Sequence, residues 1–250
     1  MPTKKKIYFA SDQHFGAPTI AQSKAREQQF VNWLDFIKNT TDTLFLLGDL
    51  FDFWFEYKKA IPKGFVRVLG KLAELSDRGI KIHFFVGNHD LWMRDYFEKE
   101  LNIKVYHKPA EFSFNNKTFF IGHGDGLGPY DKGYKRMKKV FTNPIAKWFY
   151  RWLHPDIGIK LAQYLSLKNR LISGEEDVKF LGEDKEWLVQ YCKMKLIEKQ
   201  YDFFIFGHRH LPLKIELSNK SSYMNTGDWI THFSYGEFDG EQLLLKYYKE

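Results

Sequence analysis

Five short runs of β-branched and aromatic residues each end in a polar cluster: KIYFASDQH (6–14), TLFLLGDLFD (43–52), KIHFFVGNHD (81–90), KTFFIGHGD (117–125) and YDFFIFGHRH (201–210). Short apolar runs bounded by Gly, Asp, Asn or His predict buried strands. Between the first three, residues 25–40 and 65–79 carry helical spacing, so the front half predicts β-α-β-α-β. In open α/β sheets ligands bind beyond the carboxyl ends of the strands, where all five clusters fall. From residue 211 onward, alternation with turn signals at Asn219, Gly227 and Asp239-Gly240 predicts antiparallel strands that form or extend a second sheet. Residues 126–191 break the pattern, being mostly helical, basic and aromatic, with Pro144 and Pro155 as punctuation and no predicted strand. The expectation is a single α/β domain over residues 1–250, a sandwich of two sheets with helices outside and a helical cap inserted over the strand ends.

Composition narrows this little: 44% hydrophobic and 28% charged residues are ordinary for a globular chain and exclude a fibrous or disordered class. The single cysteine, Cys192, excludes an internal disulfide framework and a CxxC zinc site, and predicts a reducing, cytoplasmic setting. The apolar run after MPTKKK is too short for a signal-peptide core, and no run approaches the roughly 18 apolar residues of a spanning helix. Contact with a membrane is therefore expected only at its surface. A net charge of +7 suits an anionic partner, yet a basic protein without one fits equally well.

The strand ends carry the chemistry. They present Asp12 and His14, Asp49 and Asp52, Asn88, His89 and Asp90, His123 and Asp125, then His208, Arg209 and His210. Imidazole and carboxylate at i and i+2 of a strand end can point the same way, so DxH and HxH each supply two metal ligands to one place. A carboxylate such as Asp49 can bridge two cations roughly 3.5–4 Å apart, the spacing that clamps attacking and leaving oxygens in phosphoryl transfer. A lone DxH or HGD is more often a turn or a core histidine, but five such clusters in order, each after an apolar strand, argue against accident.

This series, DxH, GDxxD, GNH[DE], H and GHxH, resembles the calcineurin-like metallophosphoesterases over residues 7 to about 230. The resemblance implies a two-sheet α/β sandwich holding two divalent cations, commonly Mn²⁺. Asp12, His14, Asp49 and His210 would hold one; Asp49, Asn88, His123 and His208 the other. His89 would then be no ligand but a catalytic group that reaches the substrate phosphate, paired with Asp52. No protein nucleophile is needed, because paired cations lower the pKa of bound water. Asp90 and Asp125 fit either direct contact or the orienting of ligating imidazoles. Arg209 fits either phosphate contact or simple exposure between two ligands.

The insertion threads lysines and arginines among Phe, Trp, Tyr, Leu and Ile. Such a surface can bind an anion at one edge and acyl chains at the other, can be the cap's own core, or can stack nucleobases. The resemblance narrows to a lipid A pathway branch that hydrolyses UDP-2,3-diacylglucosamine to UMP and the diacylglucosamine 1-phosphate. It implies a nucleotide-linked lipid substrate rather than nucleic acid, and a peripheral position on the inner face of a bacterial cytoplasmic membrane. Asp131 and Tyr134 would lie near the glucosamine phosphate, with Ser166, Lys168, Asn169 and Arg170 as looser candidates. The alternative is a metallophosphodiesterase for nucleic acid, a cyclic nucleotide or another nucleotide diphosphate. One departure is clear: the best-known members of that branch have arginine and glutamate where this chain has His89 and Asp52. The aromatics after Asp52, in FWFEY, are expected to shape a second pocket wall.

Overall fold

The computed structural model describes residues 5–128, 132–162, 164, 180 and 182–249. Two mixed sheets stack face to face. In the first, β1 (Lys6–Ala10), β2 (Thr41–Leu46), β3 (Lys81–Phe85) and β4 (Lys104–Tyr106) run parallel, while β10 (Ser234–Phe238) pairs antiparallel with β1 and β11 (Leu243–Tyr247) antiparallel with β10, in the order β11-β10-β1-β2-β3-β4. The second runs β5 (Ala110–Phe114), β6 (Lys117–Ile121), β7 (Phe203–Phe206), β9 (Ser221–Thr226) and β8 (Pro212–Ser218), with β6, β7 and β9 parallel.

Three apolar clusters explain the layering. Phe9, Phe45 and Phe85 of the first sheet meet Phe119, Ile205 and Met224 of the second, and this layer is the sandwich interior. On the outer face of the first sheet lie α1 (Ile20–Ile37), α2 (Val66–Asp77) and α3 (Tyr96–Glu100), which bury Phe30, Trp33, Leu72 and Phe97 against it. On the outer face of the second, Leu188, Val189 and Cys192 of the helix Trp187–Glu198 pack on Phe204 and Phe206. A strand covered on both faces needs a near-continuous apolar run, which is why β1, β2 and β3 stand out in sequence.

The two helices read from periodicity form where expected. Thr19 caps α1, its hydroxyl accepting the Gln22 N–H at 3.3 Å. Phe65, at the start of α2, offers no such cap; the buried Glu27 of α1 accepts the Val68 N–H at 3.1 Å instead. The structure differs from expectation in three places. Strands β4 and β5 were not predicted, being short or only half-buried edge elements. The C-terminal strands divide between the sheets, β8 and β9 joining the second and β10 and β11 returning to the first. The helix Trp187–Glu198, whose first residues fall in the predicted insertion, packs into the body.

His83 gives the fold a pH dependence remote from the strand ends. Its ring stacks on Phe45 at 4.8 Å and 16°. Burial, aided by the charges of Lys104 and Lys81, lowers its pKa to about 4. The unfolded chain binds this proton near pH 6.5, so the stabilisation of the neutral ring is complete above that pH and is lost as pH falls toward 4. We expect His83→Phe to gain about 1–2 kcal/mol relative to the parent between pH 7 and pH 5 in urea titrations. A difference that stays constant with pH would contradict this.

Candidate functional site

The clusters converge at the carboxyl ends of β1, β2, β3, β6 and β7, where the sandwich opens. Five of the seven residues expected as metal ligands have left-handed backbone: Asp12 (φ 57°), His14 (φ 46°), Asp49 (φ 54°), His208 (φ 71°) and His210 (φ 50°). Such conformations cost about 1–3 kcal/mol each outside glycine and persist only where surroundings enforce them. Arg26 of α1 is one enforcer. Buried beneath the DQH loop, its guanidinium donates to the carbonyls of Gln13 (2.7 Å), His14 (2.8 Å) and Ala17. Losing it strands buried carbonyls, so Arg26→Met should cost about 3 kcal/mol and lower the melting temperature of the metal-stripped protein by roughly 6–12 °C. An unchanged melt would refute the assignment.

Glycine lets the β2 and β3 ends interlock. A Cβ on Gly87 would lie 2.2 Å from Asp49 Oδ1, and one on Gly48 would lie 2.7 Å from both Gly87 N and His123 Nδ1. No side chain fits at either position. Asp90 completes the turn, its buried carboxylate accepting the N–H groups of Gly87 (2.5 Å) and Leu50 (3.2 Å). Burial and the charge of Asp49 raise its pKa to about 8.

The ligating atoms form overlapping groups. Those of Asp12, His14 and His210 lie within 4.8 Å of one another, as do those of Asp49, His123 and His208, and of His14, Asp49 and His89. His14 Nε2 is 3.2 Å from His210 Nε2 and 3.8 Å from Asp49 Oδ2. His123 Nε2 is 3.3 Å from Asp49 Oδ2 and 3.1 Å from Asn88 Oδ1, which brings the Asn88 amide to the second group. His123 Nδ1 donates to the Leu47 carbonyl at 2.7 Å, fixing the tautomer that turns Nε2 inward.

Charge balance is set within the cluster. Burial alone would raise Asp49, but the imidazoles of His123, His89 and His14 hold it well below the carboxylate range. Burial alone would lower His123, but the Asp49 carboxylate lifts it to about 10. A divalent cation can take the place of such a proton, since metal binding and ligand deprotonation are linked. One oxygen is otherwise unexplained: Asp12 Oδ1 is buried without a hydrogen-bond partner, 3.4 Å from His210 Nε2 and 3.8 Å from His14 Nε2. An orphaned carboxylate oxygen among facing imidazole nitrogens, in an all-N/O set, fits a divalent cation.

His89 stands beside this cluster. Its Nδ1 donates to the Asp52 backbone carbonyl at 2.9 Å and lies 3.7 Å from Asp52 Oδ1, and its ring sits edge-on to His14 at 4.7 Å. Asp52 Oδ1 is also 3.6 Å from His14 Nδ1, so this carboxylate serves both rings. An apolar cavity of about 310 Å³ opens from His89, Asn88 and Asp52. Phe53, Trp54, Trp92, Phe141 and Tyr150 line it, so of the aromatics after Asp52 the first two meet the cavity, while Phe55 and Tyr57 are not among its lining residues.

The apolar side chains of residues 132–162 divide by face. Helices α4 (Lys132–Thr142) and α5 (Pro144–Arg151) and a helical run at 155–162 turn Phe141 and Tyr150 toward the cavity; Ile145, Trp148, Phe149 and Trp152 are more than half exposed. Tyr134 lines the cavity, with its hydroxyl donating to the buried Asp125, which Lys138 also reaches. Asp131, Ser166, Lys168, Asn169 and Arg170 lie outside the described residues.

Arg209 follows neither reading made from sequence: it is buried and forks onto Glu186. Asp228 was missed. It accepts the N–H groups of Ile230, Thr231 and His232 and places Oδ2 3.5 Å from His210 Nδ1, orienting that ring. Burial would raise it, but His210 and these amides hold its pKa far below the carboxylate range. The Thr-Gly-Asp that ends β9 is another strand-end signal, hidden because SSYMNT is too polar to read as a buried strand.

The sequence pattern of the calcineurin-like phosphoesterases matches residues 5–212. A UDP-2,3-diacylglucosamine hydrolase of Porphyromonas gingivalis is 38% identical over 97% of each chain. One from Shewanella piezotolerans is 26% identical over 90% of each. Among solved structures, the phosphoesterase Yfce of E. coli aligns over 95% of this chain and 90% of its own, at 17% identity and a TM-score of 0.47.

Proposed function

The chain belongs to the calcineurin-like phosphoesterase family, a hydrolase with a divalent-metal cluster, and from that premise we propose that it cleaves the diphosphate of UDP-2,3-diacylglucosamine to UMP and the diacylglucosamine 1-phosphate. The observation that carries this reading is an aromatic, acyl-compatible cavity opening directly onto the carboxylate–imidazole cluster. Asp12, His14, Asp49 and His210 are proposed to hold one cation and Asp49, Asn88, His123 and His208 another, both Mn²⁺. When bound, the pair supplies Lewis acidity toward the phosphoryl oxygens and acidifies water for attack.

The protein's own groups orient and insulate. His89, tied through Nδ1 to the Asp52 carbonyl, keeps Nε2 for the diphosphate; burial lowers its pKa against the pull of Asp49 and Asp52, so Nε2 donates to the leaving phosphate only in the imidazolium form, which the anionic diphosphate favours. The Phe53, Trp54 and Trp92 walls take acyl chain and keep water off that hydrogen bond. Tyr134 stands at the cavity edge for the head group, with Asp131, Ser166, Asn169 and Arg170 as its further candidates.

No described helix is long and apolar enough to cross a membrane. The exposed Ile145, Trp148, Phe149 and Trp152, at helical spacing along α5 and its end, together with the exposed Arg136, Lys139 and Lys160 of the neighbouring helical segments in sequence, suit peripheral docking on the inner face of the bacterial cytoplasmic membrane. Loss of sedimentation with anionic vesicles in Trp148→Ser/Trp152→Ser tests this. For the reaction, purified protein with the lipid and Mn²⁺ should release UMP. Failure to do so under conditions where it cleaves an aryl phosphodiester would remove the lipid substrate and leave the phosphoesterase.

A further inference from the structure

The loop that carries His208 and His210 has both histidines in left-handed backbone, on either side of Arg209. From one side it is held by Asp12, whose Oδ2 accepts the His208 N–H at 2.9 Å. From the other, Arg209 turns away from the cluster into the protein, where Nε and Nη2 donate to the two carboxylate oxygens of Glu186 at 3.2 and 3.0 Å. Arg209 is 7% and Glu186 2% exposed. Such a planar fork fixes direction as well as distance, which a lysine cannot reproduce.

Glu186 is the residue immediately before the helix Trp187–Glu198, which is anchored on the second sheet through Leu188 and Val189. The next residue, Trp187, sets its ring 5.9 Å from that of His208, at 74°. Arg209 is thus bolted to a rigid element, while its own peptide unit joins the two candidate ligands.

We propose that Glu186 and Arg209 are a positioning pair that holds His208 and His210 in their strained, metal-competent conformation, so that cation affinity depends on the start of this helix. The inference rests on the metal reading above. A buried ion pair is weak evidence for stability by itself, because apolar replacements of similar volume are often neutral. Its place between two candidate ligands points to geometry rather than stability as its role.

The test is direct titration of Mn²⁺ into metal-stripped protein, beside thermal melts of the same samples. Arg209→Lys and Glu186→Gln should weaken binding by about 10–100-fold, the usual effect of removing a group that orients a ligand. Glu186→Leu/Arg209→Met should melt near the parent temperature and still bind weakly. Parent-like Mn²⁺ affinity in that double variant would overturn the proposal; if it fails to melt cooperatively, parent-like affinity in Arg209→Lys does so. A parent protein that binds no Mn²⁺ would instead overturn the metal reading.

Discussion

Asp49→Ala protein is expected to fold and to release no measurable UMP, a loss of about 10³-fold or more, because one side chain belongs to two of the three overlapping groups and is proposed to serve both cations. Its Oδ2 lies 3.3 Å from His123 Nε2 and 3.8 Å from His14 Nε2, and its Oδ1 accepts the His89 N–H at 2.8 Å. Removing it takes a ligand from both proposed cation sites and frees the backbone of the GNH turn. Asp49→Asn keeps the volume and loses the charge, which separates cavity from electrostatics. Metal content, circular dichroism and UMP release on the same samples decide the matter, and near-parental turnover in either variant would refute the assignment.

His89 carries the second large effect. His89→Ala should cost about 10²–10⁴-fold in turnover, the range for a lost proton donor or charge-stabilising group, with metal content retained. Arginine supplies fixed positive charge and several donors that match phosphate geometry. His89→Arg should therefore stay within about tenfold of the parent, by the same steady-state assay, if a cationic donor is what the site requires. An arginine variant as inactive as alanine would show that the imidazole itself, held by Asp52 at 2.9 Å, is needed.

Much of the site is legible in the chain because its residues sit immediately after buried strands. An apolar run that stops at Gly, Asp, His or Asn marks both the strand and the side chains at its end, as in FFVGNHD and FIFGHRH. Elements that lack this contrast were lost. Strand β5 alternates between half-buried and exposed, and β9 is fully buried yet polar, so Asp228 behind it went unnoticed. Arg209 misled for a different reason. Charge at a strand end predicts exposure or ligand contact, while its partner Glu186 lies 23 residues away across a helix.

The sequence by itself determined the two-sheet α/β class, the five strand ends and their donor types, since periodicity and composition are local properties of the chain. It also pointed to the aromatic insertion, though not to how that insertion divides. Only the tertiary structure decided that β6 and β7 belong to a different sheet from β1, β2 and β3, so that the cluster forms across the open end of the sandwich. It also decided that Arg26 bonds beneath the DQH loop, that Glu186 pairs with Arg209 and Asp228 with His210, and that Phe141 and Tyr150 face the cavity while Trp148 and Trp152 face out. The reason is the same in each case: strained backbone and buried charge are stable only against partners distant in sequence, and no local pattern records which partners fold next to them.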